Sequence, residues 1–251
     1  MKKTLVITIT IVLLSSVLCS ACSQNPTNPK LEDLDEIRNA SVLITMQLPK
    51  LSQSLEKSIL LGYGIGSLVE YQGEILLVTH NHWRKVLEDT SLVKFYDSEN
   101  RLIKTIIGKE WRDLIIHADA GTLVLRPPQE LIDQLVPVSL QAVPQLEKGE
   151  IVEIVCRESP ARETAAIQQA VVEETLIYND QPVYKLRTLN GEPIQPGDSG
   201  GGVWHEGALI GNNWTVTGKS NVPLEAPEEA EDENVILTDL SYAAALPENI
   251  P

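Results

Sequence analysis

The amino-acid sequence predicts an all-β protein, and three observations predict it. From Ser41 onward, short apolar runs of strand length recur between clusters of turn-forming residues. The few segments with helical character are too short and too irregularly placed for alternating strands and helices, which excludes a parallel sheet. Gln72-Gly73, set between two apolar runs, reads as the tight turn of a hairpin between antiparallel neighbours.

Residues 1–22 read as an export signal outside the fold. Lys2 and Lys3 supply the positive start, Leu5–Leu18 the apolar stretch, and Ser20-Ala21 the small residues before Cys22. The apolar stretch falls short of the roughly 20 residues a membrane-spanning helix needs, so cleavage is expected. Residues 23–36 form a tether whose first part, Ser23–Pro29, is polar and proline-bearing. A short helical piece is expected over Leu31–Arg38.

Strands are then expected at Ser41–Leu48, Gly64–Tyr71, Ile75–Thr79, Leu92–Tyr96, Leu102–Ile107 and Gly121–Leu125, each apolar and each ended by turn residues. Trp83–Leu87 and Gln129–Leu135 are the two candidate helices among them. Pro127-Pro128 and the polar stretch after it break the chain into an N-terminal unit, 37–128, and a C-terminal unit, 129–251. The second unit continues with strands at Ile151–Val155, Ala170–Ile177, Val183–Thr188, Gly201–Trp204, Ala208–Gly211 and Val235–Leu237. The acidic run Glu225–Asn234 is an exposed loop between the last of these.

Charge and cysteines exclude several classes. The formal net charge is -15 and no block of lysines and arginines offers a phosphate-binding face, so nucleic acid is not an expected partner. Removal of the signal takes Cys19 with it and leaves Cys22 and Cys156, so there is no disulfide framework. Cys156 ends the apolar run Ile151–Cys156 and reads as a small buried hydrophobe, not a nucleophile.

The chemistry is concentrated in Pro196-Gly197-Asp198-Ser199-Gly200-Gly201-Gly202-Val203. A serine hydroxyl attacks a carbonyl only when a base takes its proton, and the resulting oxyanion needs preorganised donors, which a glycine-rich turn supplies from the backbone. The segment resembles the GDSGGP signature of chymotrypsin-like serine peptidases from Gly197 to Gly201, with Gly202 in place of the final proline. The resemblance implies Ser199 as nucleophile and the amides of Gly197 and Ser199 as oxyanion hole.

That family carries its histidine in a Thr-x-x-His setting after a strand. Thr79-His80-Asn81-His82 matches it and implies His82 as general base, with His80 as the rival. It carries its aspartate before a short apolar strand. Asp119, ahead of Gly121–Leu125, fits that pattern, and Asp113 before Leu114-Ile115-Ile116 competes with it. Thr79-His80-Asn81-His82 also resembles the start of the His-x-His-x-Asp-His zinc motif, but Arg84 and Lys85 stand where that motif has Asp and His.

The resemblance implies two antiparallel six-stranded β-barrels with the active site between them, and peptide hydrolysis through an acyl-enzyme on Ser199 without metal or organic cofactor. A polypeptide is the implied partner. Pro193, with Ile194 beside it, is the implied base of the primary pocket, and Asn213 and Trp214 its wall. Neither Pro193 nor Ile194 can pair a cation, so small or medium apolar side chains are expected before the cut bond. A shift of register would instead bring Glu192 to the pocket. An ordinary imidazole base gives activity that rises through roughly pH 6 to 7.5. If Cys22 is lipidated it offers no free N-terminal amine to pair Asp198, which must then be satisfied locally.

Ser20-Ala21-Cys22 resembles the bacterial lipoprotein signal, in which the cysteine is lipidated, although Cys19 stands where that pattern has an aliphatic residue. The resemblance implies an exported protein anchored to a membrane through Cys22 and facing its extracytoplasmic side. A lipoprotein that uses the same barrels to bind without catalysis is the alternative from another class.

Overall fold

The computed structural model describes residues 31–51, 57–140, 145–158, 164–214 and 240–247. The signal, Cys22, the strand expected at Val235–Leu237 and the acidic run Glu225–Asn234 lie outside the described residues.

The chain opens with helix α1 (Leu31–Asn39), followed by β1 (Ser41–Leu51), β2 (Lys57–Tyr71) and β3 (Glu74–His80). The β2–β3 turn places Gln72 and Gly73 at φ of 53° and 83°, the conformation that the Gln72-Gly73 pair predicts, and Tyr71 faces Glu74 across it. A single turn of helix, α2 (Trp83–Val86), leads to β4 (Leu92–Tyr96) and β5 (Leu102–Ile107), then to α3 (Gly108–Asp113), β6 (Ile115–Ala118) and β7 (Thr122–Leu125). These strands form one sheet in the order β5-β4-β1-β2-β3-β7-β6.

Beyond the Pro127-Pro128 break come α4 (Gln129–Gln134) and β8 (Val138–Ser139), whose two residues add to β2 in parallel. The N-terminal sheet therefore has eight strands where the resemblance implies six. The second half comprises β9 (Ile151–Arg157), β10 (Ala165–Tyr178), β11 (Gln181–Thr188), β12 (Gly202–His205), β13 (Ala208–Trp214) and β14 (Leu240–Ala245). They close a six-stranded barrel in the order β10-β11-β14-β13-β12-β9.

Three apolar clusters hold this arrangement. One fills the N-terminal sheet around Ile44, Leu77, Phe95 and Trp111, and one fills the C-terminal barrel around Val152, Leu186 and Ile210. The third is the seam, where Leu43, Ile65, Leu76, Val78 and Val124 of the first half pack on Val155, Trp204 and Leu209 of the second. Adjacent residues of β3 therefore serve different cores, Leu77 the sheet and Leu76 and Val78 the seam. This explains why β3 reads as an unbroken apolar run: a strand covered on both faces has no solvent side to alternate toward.

The helix α3 and the strands β6, β8 and β14 are not anticipated by the sequence. Trp111, fully buried and stacked on Phe95 at 6.0 Å, ties α3 to the sheet, a tertiary contact without a local signature.

Candidate active site

The loop that carries Ser199 is held from both halves of the molecule. The N–H of Ile65, on β2, donates to the carbonyl of Ser199 at 3.0 Å, and the N–H of Gly200 donates to the carbonyl of Asn213, on β13, at 2.7 Å. Asn213 closes the pair by donating its own N–H to Gly201 O at 2.7 Å. Gly200 sits at φ 86°, and a β-carbon there would meet Ile65 O and Thr79 Oγ1, so only glycine fits. Gly202 is also demanded by space. A β-carbon would run into Trp204 Nε1 and Ser67 Oγ, so the residue that replaces the family's proline is fitted to its neighbours.

Asp198 organises the loop from beneath. Only 2% exposed, its carboxylate accepts the N–H of Arg157 at 2.8 Å on one oxygen and that of Gln195 at 2.7 Å on the other. The local satisfaction expected of Asp198 is therefore present. The amides of Asp198, Gly200 and Gly201 are all engaged, on Gln195 O, Asn213 O and Asp198 O. The amides of Gly197 and Ser199 donate to no described residue. Two free N–H groups thus flank a serine in a rigid turn, the disposition an oxyanion requires.

The histidines end the strand against which this loop docks. His80 is the last residue of β3, and the position of a Gly200 β-carbon lies 3.0 Å from its backbone nitrogen. The His80 side chain is 2% exposed, and its Nδ1 accepts the N–H of His82 at 3.1 Å. The His82 ring lies partly exposed, 4.5 Å from the His80 ring and 3.9 Å from that of Trp83. Burial pushes the His80 imidazole well below its ordinary value, with repulsion from His82 adding to the effect. Burial lowers His82 to about 4. Both rings are therefore neutral at physiological pH, as a base must be before it takes a proton.

Asp119 is turned elsewhere. Its Oδ1 accepts the N–H groups of Gly121 at 3.0 Å and Thr122 at 2.6 Å, and its Oδ2 lies 3.4 Å from Nε2 of His117. The contact with the histidine segment runs through the main chain, where Asn81 Nδ2 donates to the carbonyl of Asp119. No hydrogen bond joins the side chains of Ser199, His82 and Asp119 among the described residues. Asp113, the competitor, ends α3. No three His, Cys, Asp or Glu side chains among the described residues converge as a metal site would require.

The residues assigned to the pocket divide. Pro193 is half-buried in the segment before the nucleophile loop, while Ile194 points into the barrel core at 3% exposure. Glu192 is exposed and accepts from Gln168 Nε2 at 3.5 Å, so its carboxylate faces the surface. Asn213 is fully buried and clamps the loop instead of lining a wall. Trp214 sits between the rings of His80 and Tyr178, 5.3 Å from each.

Three participants escape sequence reading. Gln181 donates to Thr122 Oγ1 and Ala245 O and accepts the N–H of Gly121, joining the Asp119 loop to the barrel. Asn212 donates to the same Thr122 hydroxyl at 2.9 Å. Arg157, buried at the end of β9, donates from one guanidinium nitrogen to the carbonyls of Ile44 at 2.9 Å and Gly64 at 3.0 Å, across the seam. Only the charge of Arg157 closing an apolar strand signals such a role, because a buried cation must find acceptors.

No protein-family model matches the chain, and no curated protein matches it in sequence. Solved structures do. The active form of the Rv3671c protease from M. tuberculosis superposes with a TM-score of 0.53 at 15% identity, over 89% of this chain and 87% of that one. The inactive form gives 0.51 at 16%, over 87% and 91%. The HtrA-type protease AlgW with a tripeptide gives 0.55 at 15%, over 85% of this chain and 58% of that one. The chain has a chymotrypsin-like fold. In this fold the two halves meet along a seam, and Ser199 and the histidines stand where they meet.

Proposed function

We propose that this chain is a serine endopeptidase. The observation that carries the reading is the loop at Ser199, where the amides of Gly197 and Ser199 donate to no described residue while those of Asp198, Gly200 and Gly201 are all engaged. Ser199 Oγ attacks the scissile carbonyl carbon and its proton passes to His82. The carbonyl oxygen becomes an oxyanion that accepts from the two free amides. Collapse breaks the carbon–nitrogen bond and the leaving amine takes the proton from His82. A water molecule, deprotonated by the same histidine, then releases the acyl group and restores Ser199.

The proteases of similar fold, one of them bound to a tripeptide, support a polypeptide substrate. The apolar character of Pro193 supports small or medium apolar side chains before the cut bond. Lys2 and Lys3, Leu5–Leu18 and Ser20-Ala21-Cys22 support export and a lipid anchor on Cys22.

A peptide-binding protein without turnover is the second reading, favoured by the Asp119 carboxylate being committed to its own loop. A fluorophosphonate probe separates the two. The wild type should be labelled and should cut a mixed peptide library after apolar residues, and Ser199→Ala should do neither. Equal labelling of both proteins, or none of either, would refute hydrolysis at Ser199. Dominant cleavage after arginine or lysine would refute the pocket assignment alone.

A further inference from the structure

We propose that His80 is the positioning residue for the general base, holding His82 in the place that a carboxylate would otherwise fix. The inference rests on the serine-hydrolase reading and concerns the same site.

The turn that carries His82 is pinned at two points. Asn81 is bound to the 119–121 loop, with its N–H on Gly121 O at 3.4 Å and its side-chain amide on Asp119 O. His82 is bound by its N–H to Nδ1 of His80 at 3.1 Å, and its ring lies against that of His80. Asp119 contributes a main-chain carbonyl to this turn, and its carboxylate contributes nothing to His82. The only side chain hydrogen-bonded to residue 82 among the described residues is His80.

A packing role does not account for a histidine here. Since Nδ1 accepts and the ring is neutral, its proton sits on Nε2. That N–H is buried without a partner among the described residues. An unpaired buried donor opposes folding, and an apolar side chain of similar bulk would fill the space between His82 and Trp214 without that penalty. The position instead uses the one thing an apolar residue lacks, a lone pair aimed at residue 82. When His82 takes the proton of Ser199, the neutral His80 ring lies 4.5 Å from the new cation, centroid to centroid. A neutral ring stabilises that charge less than a carboxylate does, so turnover is expected to be slow.

The test compares the mature wild-type protein with His80→Leu and His80→Asn. Three quantities are read: the rate of fluorophosphonate labelling at Ser199, kcat and KM on a cleaved peptide, and exchange of the His82 amide. His80→Leu should lower labelling and kcat at least about tenfold with KM nearly unchanged, and should speed amide exchange. His80→Asn, whose Oδ1 can accept the same N–H, should recover most of both. Wild-type rates in His80→Leu would overturn the proposal. So would a folded His80→Asn as slow as His80→Leu, since that is the mark of lost packing. If His80→Leu does not fold, the wild type still decides, because a His82 amide that exchanges as freely as an exposed loop amide is not held. A labelled wild type with insensitive variants overturns this inference alone, whereas an unlabelled wild type overturns the serine-hydrolase reading with it.

Discussion

His80 and His82 differ from free imidazoles because the seam takes them out of water, and the consequence is a pH dependence unlike that of a solvated histidine. The sequence alone implies a rise in activity through roughly pH 6 to 7.5. With His82 lowered to about 4, the base form dominates far below neutrality. Labelling of Ser199 should therefore stay level from pH 8 to about 5.5 and fall as the pH approaches 4. Stability follows the same groups with a defined sign. The unfolded histidines bind protons near pH 6.5 while the folded ones still resist them, so the folded state loses stability as pH drops from about 6.5 toward 4. The urea midpoint should thus be lower at pH 5 than at pH 7, and the difference should shrink in His80→Asn. A labelling midpoint between 6 and 7 would show that the site is more hydrated than this geometry implies.

Strand β9 reaches across the seam with one side chain and supports the Ser199 loop of its own half with one amide. The Arg157 guanidinium reaches the carbonyls of Ile44 and Gly64, while its N–H supports Asp198 under the nucleophile loop. Arg157→Met keeps the bulk and the N–H but removes the donors to buried carbonyls. Urea unfolding should show a loss of about 2 kcal/mol, and an unchanged midpoint would mean that water replaces the guanidinium. The strands themselves were largely legible. Leu92–Tyr96 and Leu102–Ile107 match the sequence reading residue for residue, because turn residues mark their ends and, in the first, burial alternates along the strand. Strand β14 was not legible, since Leu-Ser-Tyr-Ala-Ala-Ala carries little β-branched or aromatic character and forms by pairing with β11 and β13. At the site, the glycines and Ser199 were readable because a tight turn constrains residue type locally. Arg157, Gln181 and the hydrogen bond from His82 to His80 were not, because each depends on which segments the fold brings together.

Across the whole molecule, the seam cluster makes two sheets into one unit, and the formal net charge of -15 opposes adhesion to acidic lipid. Among the described residues no helix is long and apolar enough to cross a membrane. On the proposed reading the tether is a lipid on Cys22, and mass spectrometry of the mature N-terminus should find Cys22 bearing it. A mature chain that begins elsewhere, or at an unmodified Cys22, would remove the anchor from the proposal. The barrel closes through β14, the last described strand, which pairs with β11 and β13 and lays Ala244 against Gly121 of the Asp119 loop. The strand carrying Trp214 therefore has β12 on one side and gains its second neighbour only when the segment Leu240–Ala245 is in place. Loss of β14 alone would open the barrel beside Trp214 and uncover Gly121 of the Asp119 loop at the same time.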